Sequence, residues 1–392
     1  MKKLFYIAIF ISSFILFSVA SVTDTAYAKE NIENDIKNEV EDNLNSLIDS
    51  DIEQFFANLK LNLSKGNLKE WIVSIINGEQ DFSFDTLADT LFDSIKDGLK
   101  TSLFSLISIM VLSLLASFSS SLTAGFKKEG TKQIIHFAIY GAIIATLAVL
   151  IVDIVRTVVS SLTSLNSFID IIFPLFITLF TALSGKIGAS FIEPITLVLS
   201  NIVLKIILNV IIPIFSATII FTFVGNLTNT IKLEKLTKTF RSIANWTLGI
   251  LFSLLTTFVA MQGIVGASID TITIKSAKFA LSSYIPILGG YLSEGFDIVL
   301  ASCVLIKNAL GLTSFIMIIA IVLTPIIKVL CLSVALKLIS SFIEPVGESK
   351  LSSLMFETAN NLNILIACLA GVAFVLFITT ILLIGAFNGG VV

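Results

Sequence analysis

From Ile187 to Val224 the chain runs almost without charge, with Glu193 and Lys205 as the only ionisable side chains. A helix crosses the hydrocarbon layer with roughly 20 apolar residues. So long a run is too much for one crossing and predicts two spans or a hairpin. Composition carries the same message, with 55% hydrophobic and 14% charged residues and a mean hydropathy of +0.98. A soluble globule is not made this way.

Further spans are predicted at Thr101 to Ser119, Gln133 to Ile154, Ile243 to Gln262, Thr313 to Leu330 and Ile364 to Ile384. Less regular ones, interrupted by Pro, Gly or charge, lie at Phe168 to Leu183 and Tyr284 to Ile306. The expected fold is all-α: a polytopic membrane protein of about seven to nine segments, some broken or re-entrant. Positive charge in short loops sets orientation. Lys127, Lys128 and Lys132, and later Lys232, Lys235, Lys238 and Arg241, mark two cytoplasmic loops, which agree if four crossings separate them.

Three stretches are expected in order. Residues 1–28 read as a signal peptide: Lys2 and Lys3, an apolar run from Leu4 to Ala20, and small residues at Ala26 and Ala28, with cleavage after Ala28 and an uncleaved anchor as the alternative. Residues 29–100 read as an acidic, helical extracytoplasmic head, with 16 acidic and 7 basic residues and apolar positions Ile32, Ile36, Val40, Leu44 and Ile48 at helical spacing. Residues 101–392 form the membrane domain, with 11 acidic and 16 basic residues. Asp85, Asp89 and Asp93 repeat on one helix face of the head, which reads as a solvated surface rather than a calcium loop.

These residues leave little room for an enzyme. His136 is the single histidine, and Cys303, Cys331 and Cys368 are scattered, so neither a metal cluster nor a disulfide framework is on offer and no cofactor is expected. There is no phosphate loop, and no H-E-x-x-H or Ser–His arrangement suited to an intramembrane protease. Basic residues are dispersed, which argues against nucleic acid.

The pentapeptide SFIEP occurs twice, at Ser190 to Pro194 and Ser341 to Pro345, and each copy has another proline 20 residues upstream, at Pro174 and Pro325. The common offset of 151 residues suggests an internal duplication, about 101–235 and 252–386. Proline inside a helix removes a backbone donor and clashes with the carbonyl four residues back. Glu193-Pro194 and Glu344-Pro345 are therefore expected at interrupted helices that face protein or water. Paired interruptions of this kind point to a transport pathway. Helix starts near an interface, with the Glu at the helix N-terminus, fit the same residues without any pathway. Among other charges, Lys328 and Lys337 read as snorkelling, Asp153 and Arg156 as a local pair at a span end, and Lys205 is the least comfortable.

The block Gln262 to Leu312 carries Gln262-Gly263, Asp270, Ile272-Thr273, Ala277-Lys278-Phe279, Ile285-Pro286, Gly289, Ser302, Lys307-Asn308 and Gly311. With these residues, and with Pro325 to Leu330 and the head's Gly78 and Phe82-Ser83, the chain resembles the stage III sporulation protein AE family of endospore-forming bacteria. The resemblance extends over essentially the whole chain. It implies a multi-pass protein of the mother-cell membrane surrounding the forespore, the outer forespore membrane. Its implied partners are the other stage III sporulation A-operon proteins, including a P-loop ATPase and ring-forming subunits, and indirectly the forespore stage II sporulation protein Q. Together they form a channel or secretion-like feeding tube. A secondary transporter for a small solute, with a midplane site at paired broken helices, is the alternative. No catalytic residue carries over, and the family pattern lacks the SFIEP carboxylates, so Gln262, Asp270, Lys278, Pro286, Lys307 and Asn308 of the central block stand beside the two proline pairs as candidates. Read from its own residues, Ser268 to Ser283 is too polar to face lipid and is expected as a re-entrant segment or a loop.

Overall fold

The computed structural model describes residues 68–76, 107–111, 113–115, 129–184, 199–227, 233–284, 289–346 and 349–385, with Val40, Leu44, Ile48, Glu53 and Lys96 besides; for 262–284 and 289–300 it describes the backbone alone. Among the described residues every regular element is helical. The elements are α1 (Leu68–Ile76), α2 (Glu129–Ser184), α3 (Leu199–Leu227), α4 (Glu234–Tyr284), α5 (Gly289–Ile343) and α6 (Ser349–Gly385). Four stretches are long and apolar enough to cross a membrane: Phe137–Leu179, Leu199–Leu227, Ala301–Ile343 and Ser349–Ile381.

Helices run further than expected. Gln133 to Ile154 and Phe168 to Leu183 are parts of the single helix α2, which passes through Pro174 without stopping. Likewise α5 joins Tyr284 to Ile306 with Thr313 to Leu330 from Gly289 onward and contains Pro325. The central block is also mostly helix: α4 continues through Ser268 to Ser283, where a re-entrant segment or loop is expected, as one unbroken helix. Long uninterrupted helices on both sides of a proline leave one backbone carbonyl to be satisfied locally, and neighbouring helices make this tolerable. Polar spacing and isolated prolines were therefore weaker breakers than apolar periodicity was a former.

A third proline is accommodated differently. Just before Pro213, α3 widens into a π-turn at Ile207–Ile211, closed by the Ile212 amide donating to the Ile207 carbonyl. The wide turn gives room where the proline ring would collide with the carbonyl of Asn209.

The centre of the bundle is the antiparallel pair α5 and α6. Ser340 Oγ donates to the Ser352 carbonyl at 2.8 Å and Ser352 Oγ to the Ser340 carbonyl at 3.1 Å. Ser333 Oγ donates to the Ala359 carbonyl at 3.1 Å. Farther along, Phe315 meets Phe377 with centroids 4.5 Å apart, and Gly311 approaches Ile384. Residue numbers fall on one strand of contact as they rise on the other, so the two helices stay in register over most of α6. Small hydroxylated residues at such a seam allow close approach, and each interhelical bond contributes about 0.6 kcal/mol in a membrane setting.

The other helices close around this pair. Gly371 of α6 lies under the Phe252 ring of α4, where an added Cβ would stand 2.1 Å from a ring atom. Phe221 of α3 and Phe240 of α4 meet edge-on at 5.4 Å. α2 packs along α5, and so does the short α1, with Trp71 and Ile72 buried. Val40, Leu44 and Ile48, expected on one helix face of the head, are buried in the same apolar cluster as the long helices.

Candidate functional site

Two polar features stand out in this apolar bundle, one on its surface and one inside it. The surface feature begins on α2. Up to Val152 the helix exposes Ile134 (72%), Phe137 (62%) and Val149 (70%), side chains suited to lipid. From Asp153 onward the exposed positions are Asp153, Arg156, Ser160, Thr163, Asp170, Pro174 and Thr178. They recur at steps of three, four and, from Thr163 to Asp170, seven residues, so they share one face. From Asp153 to Thr178 that face is about 38 Å long at the α-helical rise. The opposite face stays apolar and buried through Ile154, Val158, Leu162, Leu165 and Phe176.

Several of these hydroxyls return their proton to their own helix: Thr157 to the Asp153 carbonyl (3.0 Å), Thr163 to Val159 (3.0 Å) and Thr178 to Pro174 (2.9 Å). Serine and threonine bonded in this way tolerate an apolar surrounding. The ionisable groups have no such outlet, and they decide the reading. Asp170 accepts from Asn166 Nδ2 at 2.9 Å and from Asn201 Nδ2 of α3 at 3.2 Å. Beyond Asn201 on the same face of α3 come the exposed Lys205 and Asn209, so the polar strips of the two helices adjoin at Asp170. The expected local pair of Asp153 with Arg156 does not form: among the described residues no ion pair joins them. Ser200, next to Asn201, points the other way, buried beside a void of about 10 Å³ with no partner for its hydroxyl among the described residues.

The internal feature ties three helices. Arg241 of α4 donates from Nε to Asn361 Oδ1 at 2.7 Å and from Nη2 to Glu357 Oε2. Asn361 Nδ2 donates in turn to Thr222 Oγ1 of α3 at 3.0 Å, and the Thr222 hydroxyl to the Thr218 carbonyl at 2.8 Å. Each side chain thus satisfies its neighbour, the condition for keeping charge inside a bundle. Sequence reasoning counted Arg241 only as one of several loop cations. The available signal was Glu357 and Asn361, four residues apart and so on one face of α6. Outside this network, on the first turn of α4, Lys238 Nζ donates to Glu234 Oε1 at 2.5 Å. This bond and its charge hold the Glu234 carboxyl below its ordinary range and the Lys238 ammonium above its own.

The residues singled out from sequence are dispersed. Pro174 is exposed on the polar half of α2, and Pro325 is buried inside α5. Glu344 and Pro345 are exposed in a 3₁₀ turn, Glu344–Val346, between α5 and α6, not in mid-span. Glu193, Pro194 and Pro286 lie outside the described residues, and Gln262, Asp270 and Lys278 are placed on the α4 backbone. Lys307 is fully buried and engaged within the chain. Next to it, Asn308 buries its Oδ1 with no partner among the described residues. Lys307 and Asn308 sit one turn before Gly311, at the level of the last turn of α6, remote in sequence and register from Arg241 and its partners.

Comparison with known proteins bears on this arrangement. A stage III sporulation protein AE from Bacillus subtilis (strain 168) is 28% identical over 221 residues, 56% of this chain. That alignment takes in 55% of the relative, so the chain spans about half the length of the curated protein it matches. No solved structure matches. The family model for stage III sporulation protein AE matches residues 66–386. With the match running from the start of α1 to the end of α6, this chain belongs to the stage III sporulation protein AE family.

Proposed function

We propose that this chain is a non-enzymatic membrane subunit of a channel or secretion-like complex joining mother cell and forespore, seated in the outer forespore membrane. The observation that carries the reading is the polar half of α2, continued on α3 by Asn201, Lys205 and Asn209. A helix that buries one apolar face and keeps Asp153, Arg156 and Asp170 on the other needs water, not lipid, along that side. Energy comes from a partner P-loop ATPase, since this chain has no phosphate loop of its own. The other A-operon subunits build the ring, and stage II sporulation protein Q meets the complex from the forespore.

The permease alternative needs helices broken at mid-membrane. Pro174 and Pro325 lie within unbroken helices, which favours the conduit. The two halves still fit a duplication: each has a long proline-containing helix followed by a second long helix, α2 and α3 in one and α5 and α6 in the other, while the first SFIEP lies outside the described residues. A cysteine-accessibility map in sporulating cells tests the conduit. Cysteines at Ser160, Thr163 and Lys205 are expected to react with a membrane-impermeant charged maleimide, and those at Phe137 and Val149 are not. Equal protection of both sets would overturn the reading.

A further inference from the structure

The polar half of α2 is a wall and not an enclosure. It is exposed along its length, so the path it borders is incomplete unless another surface faces it. We propose that a second copy of this chain supplies the facing wall, with Asp153 of each copy paired to Arg156 of the other. The inference rests on the conduit reading above and adds the partner.

Charge selects that partner. Asp153 and Arg156 are three residues apart on one exposed face, yet no ion pair joins them among the described residues. Copies inserted in one membrane share an orientation, so an axis along the membrane normal brings their α2 helices together parallel. In that arrangement Asp153 of one copy lies about 4.5 Å in height from Arg156 of the other, three residues of helical rise. The same axis forms the reciprocal pair, as an isologous contact requires. The face as a whole is balanced, with Asp153 and Asp170 against Arg156 and Lys205, so two copies do not repel. A strongly acidic or strongly basic partner finds no matching excess here.

The test uses the full chain in membranes, with Cys303, Cys331 and Cys368 replaced by Ala and unaltered sporulation as the criterion of folding. Ser160→Cys is expected to give a dimer-sized product with a bismaleimide, and Phe137→Cys is not. Asp153→Arg or Arg156→Asp alone should lower the dimer yield by about fivefold, the upper end for a partly exposed pair. The double reversal should restore it. Failure of the double reversal to restore the yield, or a Ser160→Cys product joined only to a different protein, would overturn the proposal. If Ser160→Cys reacts with a charged maleimide from water but never joins its own kind, self-enclosure fails while the water path stands. If it does not react at all, both fall.

Discussion

The first half of α2, to Val152, and the half that follows bury the same kind of side chain and expose opposite kinds. Inward, Ile143, Leu147, Ile154, Val158 and Leu162 form one unbroken apolar row. Outward, Phe137 and Val149 give way to Asp153, Arg156 and Thr163 with no change in backbone. The inner row fixes that a helix forms and where it packs. The outer row says what solvent it meets. Hydropathy averaged along the helix merges the two rows, so the polar row registers only as the gap between the expected spans Gln133 to Ile154 and Phe168 to Leu183.

The sharpest way to break the contrast is to place one carboxylate on each half. Val149→Asp is expected to impair membrane insertion by about 3 kcal/mol if that position is deep in lipid. Ser160→Asp should insert as the parent does. Protease protection in isolated membranes reads both, and equal tolerance would erase the distinction. A second comparison sets packed glycine against open glycine. Gly371→Ala drives a Cβ into the Phe252 ring and should cost about 1–3 kcal/mol in detergent unfolding. Gly141→Ala, on the lipid-suited half of α2 with nothing within 4 Å, should be neutral or stabilising by up to about 1 kcal/mol. Similar losses for both would mean that α6 does not approach α4 as described.

Charge inside the bundle should matter more to folding than charge on its polar face. Glu357→Ala leaves the Arg241 guanidinium without its carboxylate and is expected to lower stability by about 1–3 kcal/mol. Asp153→Ala should change stability by less than about 0.5 kcal/mol while reducing spore formation. The reverse ordering in a thermal shift assay would contradict the assignment of structural and functional roles. The smallest effect belongs to the exposed Glu234–Lys238 bond. Glu234 has its folded-state pKa lowered, so its contribution is present above the unfolded value and lost as pH falls through the folded one. Lys238 has its pKa raised, so its share is present below the unfolded value and lost as pH rises through the folded one. Measured against the intrinsic rate, which itself slows in acid, amide protection at the start of α4 should fall as Glu234 protonates, and Glu234→Gln should remove the change.

Much of this was legible before any coordinates. Helical spacing aligns Val40, Leu44 and Ile48, which are buried together, and Lys205, the least comfortable charge, falls on the polar face, whereas the local pair read at Asp153 and Arg156 does not form. Proline is the weaker signal: the helix-break candidates Pro174 and Pro325 lie inside continuous helices, because surrounding apolar packing outweighs one lost backbone bond, while Glu344 and Pro345 do fall where α5 ends. The network of Thr222, Arg241, Glu357 and Asn361 was illegible for a different reason. Arg241 lies 116 residues from Glu357, and Asn361 lies 139 from Thr222, so no local pattern joins them. Taken singly, each looks like a loop cation or a stray polar residue. Only the packing of α3 and α4 on α6 makes them neighbours.

The π-turn at Ile207–Ile211 has an effect beyond sparing Pro213 a collision. One surplus residue per turn shifts the angular phase of everything downstream by about 100° relative to a regular helix. Upstream of it α3 shows Ile202 and Lys205 outward; downstream it shows Ile220 and Val224, and Thr222 looks inward at Asn361. The bulge thus works as a phase coupler, turning the outward side of one helix where a uniform screw would have kept it in line.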